Sequence, residues 1–282
     1  SDFEIVDIND VVNESFKLNE ELIQLGAYLK ERTLCSLISA YQTMLPTSLK
    51  IDNEKYDYSI YKSYIVIKDE EACKTFVLNN KKAKKQVEFI NRLLSEKRIS
   101  KKEINAQILN SLLEKDLVTI EKENIYRINP SVSRVEEKIL TDEQTKAMEE
   151  VKNSLDMFNV FLLHGITGSG KTEVYIKLVS EVLKNGKTVI MLVPEITLTT
   201  QIVKRFYECF GDNVAIFHSG LSDGEKADEY NKILRDEAKI VVGTRSSIFV
   251  PLKNIGLIII DEEHTSSYKQ ENNPRYHAVD MA

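Results

Sequence analysis

Apolar positions in the first part of the chain, Leu18, Leu22, Leu25, Leu29, Leu34, Leu37, Ile38, Tyr41 and Leu45, recur at roughly helical spacing. This predicts one or two helices, and Pro46 ends the pattern. YKSYIVIKD, from Tyr61, is rich in β-branched and aromatic residues and predicts a strand. Three short helical patterns follow from residue 81, KKAKKQVEFINRLLSEK, SKKEINA and AQILNSLLEKDLVT, and then the alternating IEKENIYRI. Helix, helix, helix, wing is the order of a winged helix-turn-helix module, with Val87, Ile90, Leu93 and Leu94 facing Ile104, Ile108, Leu109 and Leu112 across a small core. Three short helices and a hairpin also build ordinary structural domains.

The polar stretch NPSVSRVEEKILTDEQ, residues 129–144, predicts a linker. Beyond it, apolar runs alternate with helical patterns: NVFLLHG, KTEVYIKLVSEVLKNG, KTVIMLV, LTTQIVKRFYECF, NVAIF, SDGEKADEYNKILRD, KIVVG and GLIIID. Strands alternating with helices through short links predict an α/β fold with a parallel sheet covered by helices. Gly186 stands where a helix C-cap glycine belongs, and Ser222 with Glu225 has capping-box spacing.

Composition narrows the class. At 282 residues with 42% hydrophobic content, the chain can form about two domains with real cores. No apolar run is long enough to span a bilayer, and the N-terminus has neither a basic nor an apolar leader segment. A cytoplasmic address without membrane contact is the expectation. Cys35, Cys73 and Cys209 are odd in number and never paired as CxxC, which fits reduced structural thiols. The net charge of −6 is unevenly spread: residues 81–102 carry 9 basic and 2 acidic groups, against 8 basic and 14 acidic before them. The six lysines Lys81, Lys82, Lys84, Lys85, Lys101 and Lys102 are candidate DNA-phosphate contacts, or else a solvated helix face.

The stretch HGITGSGKTEVY fits G-x-x-x-x-G-K-[ST] as Gly165, Gly168, Gly170, Lys171 and Thr172, between an apolar run and a helical pattern. Glycines let the backbone curl until successive N–H groups point inward and, with the helix N-terminus, form an anion-binding concavity. The nucleotide-binding candidates are Gly165, Thr167, Gly168, Ser169, Gly170, Lys171 and Thr172. Lys171 would neutralise the β- and γ-phosphates of ATP and Thr172 would ligate Mg²⁺. LIIIDEEH places Asp261 at the end of a buried-looking strand, where it would position the metal through water, and Glu262 beside it would polarise the attacking water as general base. Gln144 lies about twenty residues upstream, where an amide could read adenine with donor and acceptor together. VPEITLTTQ and GTRSS, the latter with Thr244 and Arg245, are rich in groups that hydrogen-bond a phosphate backbone. Tyr268, Lys269, Arg275, Tyr276 and His277 alternate rings with cations, which suits stacking on unpaired bases, or else a turn with two tyrosines packed on the lobe.

GITGSGKTEVY, VPEITLTTQ, FHSGLSDGEK and VVGTRSSIFVPLKNIGLIIIDEEHTSSYKQENNPRYHAVDMA closely resemble the primosomal protein N′ (PriA) family of bacterial replication-restart helicases. The resemblance runs through most of residues 140–282, and the DEEH, SYKQ, PRYHA succession carries its specificity. It implies a helical lead-in over 1–50, a winged-helix DNA-binding domain over 51–130 and a first RecA-like ATP-binding lobe over 131–282. It implies an ATP-driven superfamily 2 DNA helicase moving 3′ to 5′ on single-stranded DNA at stalled or forked DNA, with primosome and single-strand-binding proteins as partners. The matching positions carry over as Lys171 and Thr172 for nucleotide and Mg²⁺, Asp261 and Glu262 for metal and hydrolysis, and Tyr268 to His277 as a loop coupling DNA contact to ATP turnover.

The family's second lobe, its zinc-binding insertion and its C-terminal domain have no counterpart here. The Ser1 start and the stop at Ala282 read as a piece of a longer chain, expected to hold ATP weakly and to hydrolyse it negligibly alone. Other superfamily 2 translocases, RecG-like or RecQ-like, and a non-enzymatic DNA-binding module are the alternatives.

Overall fold

The computed structural model describes residues 18–46, 60–128, 135, 138–166, 168–195 and 200–282. Parts of the expected lead-in (1–17 and 47–50), of the expected winged-helix domain (51–59), of the linker (129–134, 136 and 137) and of VPEITLTTQ (196–199) lie outside the described residues. The chain forms two compact units, one of Tyr58–Arg127 and one that joins Ser1–Asp57 with Ile128–Ala282.

Helix α1, Glu20–Thr33, starts where the Asn19 side chain accepts the Leu22 N–H, with Glu20 and Glu21 in its first turn complementing the helix dipole. Helix α2, Leu37–Met44, is capped by Ser36 in the same way. Leu22, Leu29, Cys35, Ala40 and Met44 are buried in one cluster with Ile190 and Leu192, so this lead-in shares a core with the C-terminal half.

The middle unit runs β1 (Ile60–Ile67), α3 (Glu70–Asn79), α4 (Lys84–Glu96), β2 (Arg98–Ser100), α5 (Ala106–Glu114) and β3 (Val118–Ile125). Its sheet has the order β2-β1-β3, antiparallel throughout, with Ile65 opposite both Ile99 and Ile120. Ile90, Leu93, Leu109 and Leu112 are buried together, and Leu94, Ile104 and Ile108 pack against them, as the sequence predicts. Two expectations fail. SKKEINA forms only a 3-10 turn over Lys101–Glu103, because Ser100 and Asn105 spend their side chains on the backbone N–H groups of Lys102 and Gln107. The expected wing hairpin is one strand, β3, whose eight residues all pair with β1 from far earlier in the chain. The periodicity of α3 is weak, yet Asp69 caps it by accepting from Glu71 and Ala72.

The second unit continues with α6 (Asp142–Lys152), α7 (Lys171–Lys184), β4 (Thr188–Leu192), α8 (Thr200–Phe210), β5 (Val214–Phe217), α9 (Asp223–Leu234), β6 (Ile240–Gly243), β7 (Ile255–Ile260) and α10 (Ala278–Met281). Four parallel strands in the order β5-β6-β4-β7 make a sheet consistent with a RecA-like lobe. Successive side chains of β4 alternate between two cores: Ile190 and Leu192 face one, Val189 and Met191 the other. Gly186 follows α7 at φ 69°, and Ser222 with Glu225 forms the expected capping box on α9.

NVFLLHG is not a strand. Residues 158–166 make no ladder, and Phe158, Val160 and Leu162 are exposed. Apolar content signals a preference for burial without naming a partner edge. Among the described residues the run is held by Leu163 against the core, by Leu155 just before it and by Lys171 at Gly165. No helix among the described residues is long and apolar enough to cross a membrane.

The β5 edge is sealed by side chains. In a parallel ladder alternate residues point their N–H and C=O to opposite sides. Asn213 and Phe217 accept bonds from the β6 side, whereas Val214 and Ile216 face outward. There Glu229 Oε2 accepts the Ile216 N–H at 2.6 Å and Lys232 Nζ donates to the Val214 carbonyl at 2.7 Å. A carboxylate and an ammonium on α9 thus replace the missing strand. Burial pushes the Glu229 carboxyl up to about 7, against the pull of Lys232 and the Ile216 N–H; Asp228 and Glu225 push the same way as burial. Its Oε1 and the nearby Tyr207 hydroxyl have no hydrogen-bond partner among the described residues.

The sign follows from proton uptake. The folded state keeps the Glu229 proton up to about pH 7, while the unfolded chain releases it near 4.5. The contribution to stability is therefore full at acid pH and falls as pH rises through that window. Glu229→Gln keeps the acceptor for Ile216 without the buried charge, so thermal melting at pH 8 should rise by roughly 3 °C or more, with little change at pH 5. Equal shifts at both pH values would contradict the assignment.

Candidate nucleotide-binding site

Between the apolar run and α7 the chain turns through Gly168 and Gly170, at φ 81° and 82°, a region that side-chain-bearing residues rarely enter. A Cβ on Gly170 would lie 2.4 Å from Gln144 Nε2, and one on Gly165 2.6 Å from Ser169 Oγ. The cradle is therefore one that side chains would fill. Thr167 lies outside the described residues. Helix α7 begins at Lys171 with no side-chain cap, which leaves its N-terminal N–H groups to an anion.

Lys171 Nζ folds back onto the carbonyls of Gly165 at 2.6 Å and Ile166 at 3.3 Å, so the ammonium sits over the turn. Thr172, next along α7, is half-buried. Glu173 turns sideways to Arg205, at 2.9 and 3.2 Å, and to Lys138 at 3.3 Å. Burial pushes its carboxyl up, but the two cations hold it below the usual range. An acid in the first turn of the helix is thereby kept paired and away from the cradle.

Asp261 follows β7, its N–H bonded to the Leu192 carbonyl at 2.9 Å. The Tyr175 hydroxyl donates to Asp261 Oδ1 at 3.1 Å, and the Tyr268 hydroxyl donates to the Asp261 carbonyl at 2.6 Å. Burial first, then Asp261, pushes the Tyr175 phenol well above its ordinary value, so it remains a donor across the working pH range. Tyr175 lies one helical turn beyond Lys171, hence Asp261 is held beside the opening turn of α7. Glu262 is exposed and adopts φ 48°, a left-handed conformation costly for a side-chain-bearing residue.

The donor set suits a phosphate with a hard cation. Lys171 and an open helix N-terminus take the anion; the Thr172 hydroxyl and the Asp261 carboxylate are the oxygens a Mg²⁺ shell requires. Gln144 is also at the site, but not as expected. Its Oε1 closes a capping box on α6 by accepting the Thr141 N–H, and its Nε2 donates to the Ser169 carbonyl at 2.8 Å. Both ends of the amide are engaged within the chain, so it buttresses the cradle instead of presenting an edge to adenine. The T-x-x-Q spacing of that box was readable in the sequence.

Several candidate DNA contacts are placed elsewhere. Tyr268 and Tyr276 are 0% and 2% exposed, inside the core against residues that include Phe249, whose ring meets Tyr276 edge-on at 5.0 Å. Stacking on a base needs an open face, so these rings are core and the packed-tyrosine alternative holds. Thr244 is buried, and Arg245 spends its guanidinium on the carbonyls of Ser267 and Lys269, bracing the loop from inside. Lys269 and Arg275 are exposed, while His277 is half-buried and caps α10. On the middle unit Lys81, Lys82, Lys84, Lys85, Lys101 and Lys102 are all exposed, and none makes an ion pair among the described residues. Arg92 and Arg98 nearby are committed to Glu96 with Glu103 and to Glu123 respectively.

A family profile described as type III restriction enzyme, res subunit, matches residues 137–281. Similar curated proteins carry the name replication restart protein PriA. The one from Bacillus subtilis (strain 168) is 36% identical over 350 aligned residues, covering 99% of this chain and 43% of that protein. The one from Chlamydia trachomatis is 33% identical over 294 residues, covering 98% of this chain and 38% of its own length. The one from Synechocystis is 46% identical over 181 residues, covering 63% and 22%. This chain spans less than half the length of these relatives.

The loop from Tyr268 to His277 separates core from surface at adjacent positions. Tyr276→Ala should lower stability in urea unfolding by about 3 kcal/mol, as expected for emptying a buried aromatic site. Arg275→Ala, at an exposed site, should stay within about 0.5 kcal/mol. Comparable losses in both would mean the rings are not core.

Proposed function

This chain belongs to the family described as type III restriction enzyme, res subunit, and its relatives are replication restart PriA proteins; on that basis we propose that it is the ATP-binding and DNA-gripping part of a replication-restart DNA helicase. The observation that carries the reading is the glycine cradle at the open N-terminus of α7, with Lys171 folded over the turn and Asp261 bonded to Tyr175, one helical turn further along the same helix. Hydrolysis of ATP would supply the energy for movement, with Mg²⁺ held by Thr172 and Asp261 to neutralise charge on the phosphates.

The residues divide the work. Lys171 leaves the Gly165 and Ile166 carbonyls to neutralise phosphate oxygens, and the backbone N–H groups of Gly168 and Gly170, with those at the uncapped start of α7, complete the grip. Thr172 and Asp261 would hold the metal shell. Glu262, exposed beyond the strand end, orients and deprotonates the attacking water. The Asp261 carbonyl is tied to Tyr268, and the Tyr268 loop is braced by Arg245, so a pull on exposed Lys269 by DNA reaches Asp261 through the neighbouring Tyr268 hydroxyl.

The middle unit acts as a winged-helix module without a hairpin, gripping the DNA backbone through its six exposed lysines. The helicase moves 3′ to 5′ on single-stranded DNA at forked substrates in the cytoplasm, with primosome and single-strand-binding proteins as partners.

Two measurements test this. Lys171→Ala should weaken binding of a fluorescent ATP analogue with Mg²⁺ by about tenfold or more, the effect of losing a charge-assisted bond of roughly 1.5–3 kcal/mol, in a protein that melts normally. Unchanged affinity would remove the nucleotide site. Binding to forked duplex DNA should show a log–log salt slope of about −5 if six phosphates are neutralised. Reversing Lys81, Lys82, Lys84 and Lys85 to Glu should abolish most of that slope, and an unaltered slope would return the lysines to a solvated face.

A further inference from the structure

We propose that Tyr175 is a positioning residue for the metal-bearing aspartate: its hydroxyl fixes the Asp261 carboxylate so that the other oxygen is presented to the cation. This rests on reading residues 165–172 with Asp261 as an Mg²⁺–ATP site.

A carboxylate has two equivalent oxygens and a freely turning final torsion, so a lone aspartate at a strand end presents either oxygen in many directions. Here one oxygen is already taken. The Tyr175 hydroxyl donates to Oδ1 at 3.1 Å from a ring that is 7% exposed and packed among Ile176, Val179 and Met191. Tyr175 shares α7 with Lys171 and Thr172, and Thr172 lies three residues before it on the same helix face. One rigid helix therefore carries the phosphate ligand, the metal ligand and the group that orients the second metal ligand. The backbone of Asp261 is pinned separately, by the Leu192 carbonyl and the Tyr268 hydroxyl, so the side-chain torsion is the freedom left for Tyr175 to remove. Partners that orient a metal ligand without touching the metal commonly change metal affinity by 10–100-fold when lost.

The experiment is a Mg²⁺ titration of fluorescent ATP-analogue binding to the chain and to its Tyr175→Phe variant, repeated in EDTA. The variant keeps the ring and loses only the hydroxyl. The expected result is a rise of roughly tenfold in the Mg²⁺ concentration for half-maximal binding, with metal-free affinity within about twofold of the original. Tyr230→Phe, which removes a buried hydroxyl on α9, should leave both values in place. A Tyr175→Phe variant with an unchanged Mg²⁺ requirement, or with equal losses in EDTA and in Mg²⁺, overturns the positioning role while leaving the nucleotide site standing. An unaltered chain that binds no nucleotide under either condition overturns the site itself and this role with it.

Discussion

A parallel sheet has no face it can leave to water, and that constraint organises the larger unit. All five residues of β4 are buried, and they alternate between two cores that need separate covers. One cover is built from α7 and α8, the helices on either side of β4 in the chain. The other is assembled from distant pieces: α1 and α2 from the start of the chain, α9, α10 and the tyrosines of the loop after β7. Leu22 to Met44 near the start of the chain and Tyr268 to Met281 near its end are thus held to the same sheet face by the same need. This is why a segment that reads as a lead-in behaves as part of the lobe.

The same requirement fixes the chemistry at the strand ends. Because Tyr268 must cover the sheet, its hydroxyl arrives at the Asp261 carbonyl; because α7 must cover the opposite face, Tyr175 arrives at the Asp261 carboxylate. The aspartate is gripped from both cores at once. Glu262 follows with a left-handed backbone, a strain that the bonds on either side of it sustain. Packing and site geometry are two descriptions of the same contacts, so a substitution chosen to test one perturbs the other unless it keeps the shape of the ring.

Local chemistry was legible in the sequence wherever it is strictly local. Gly168 and Gly170 read as a turn because positive φ selects glycine, and both adopt it. Ser222 with Glu225, and the alternation of strands with helices, are equally short-range. The failures are the long-range ones. NVFLLHG is apolar enough for a strand but finds no ladder, and β3 pairs with β1 across more than fifty residues instead of folding into a hairpin. The tyrosines of SYKQENNPRYHA stand beside cations in the chain, yet burial is decided by a sheet face that the local sequence does not mention. Gln144 shows the middle case: its capping box was written in T-x-x-Q, but its bond to Ser169 required the fold.

Charge divides along the same lines. In the lobe, cations at buried or half-buried positions are matched by carboxylates or carbonyls: Arg205 by Glu173, Lys232 by Val214, Arg245 by Ser267 and Lys269. Each satisfies a group that burial would otherwise strand, which is a structural use of charge. On the middle unit the two arginines of α4 and β2 pair with glutamates, while the six lysines stay exposed and without ion pairs among the described residues. Arginine's planar fork suits fixed pairing, whereas a flexible ammonium in water gives up little to remain unpaired. A surface that keeps its pairable cations neutralised and its mobile ones free presents a diffuse positive field without geometric demand. Such a field fits a uniform polyanion better than a single protein epitope, and its strength depends on ionic strength more than on shape.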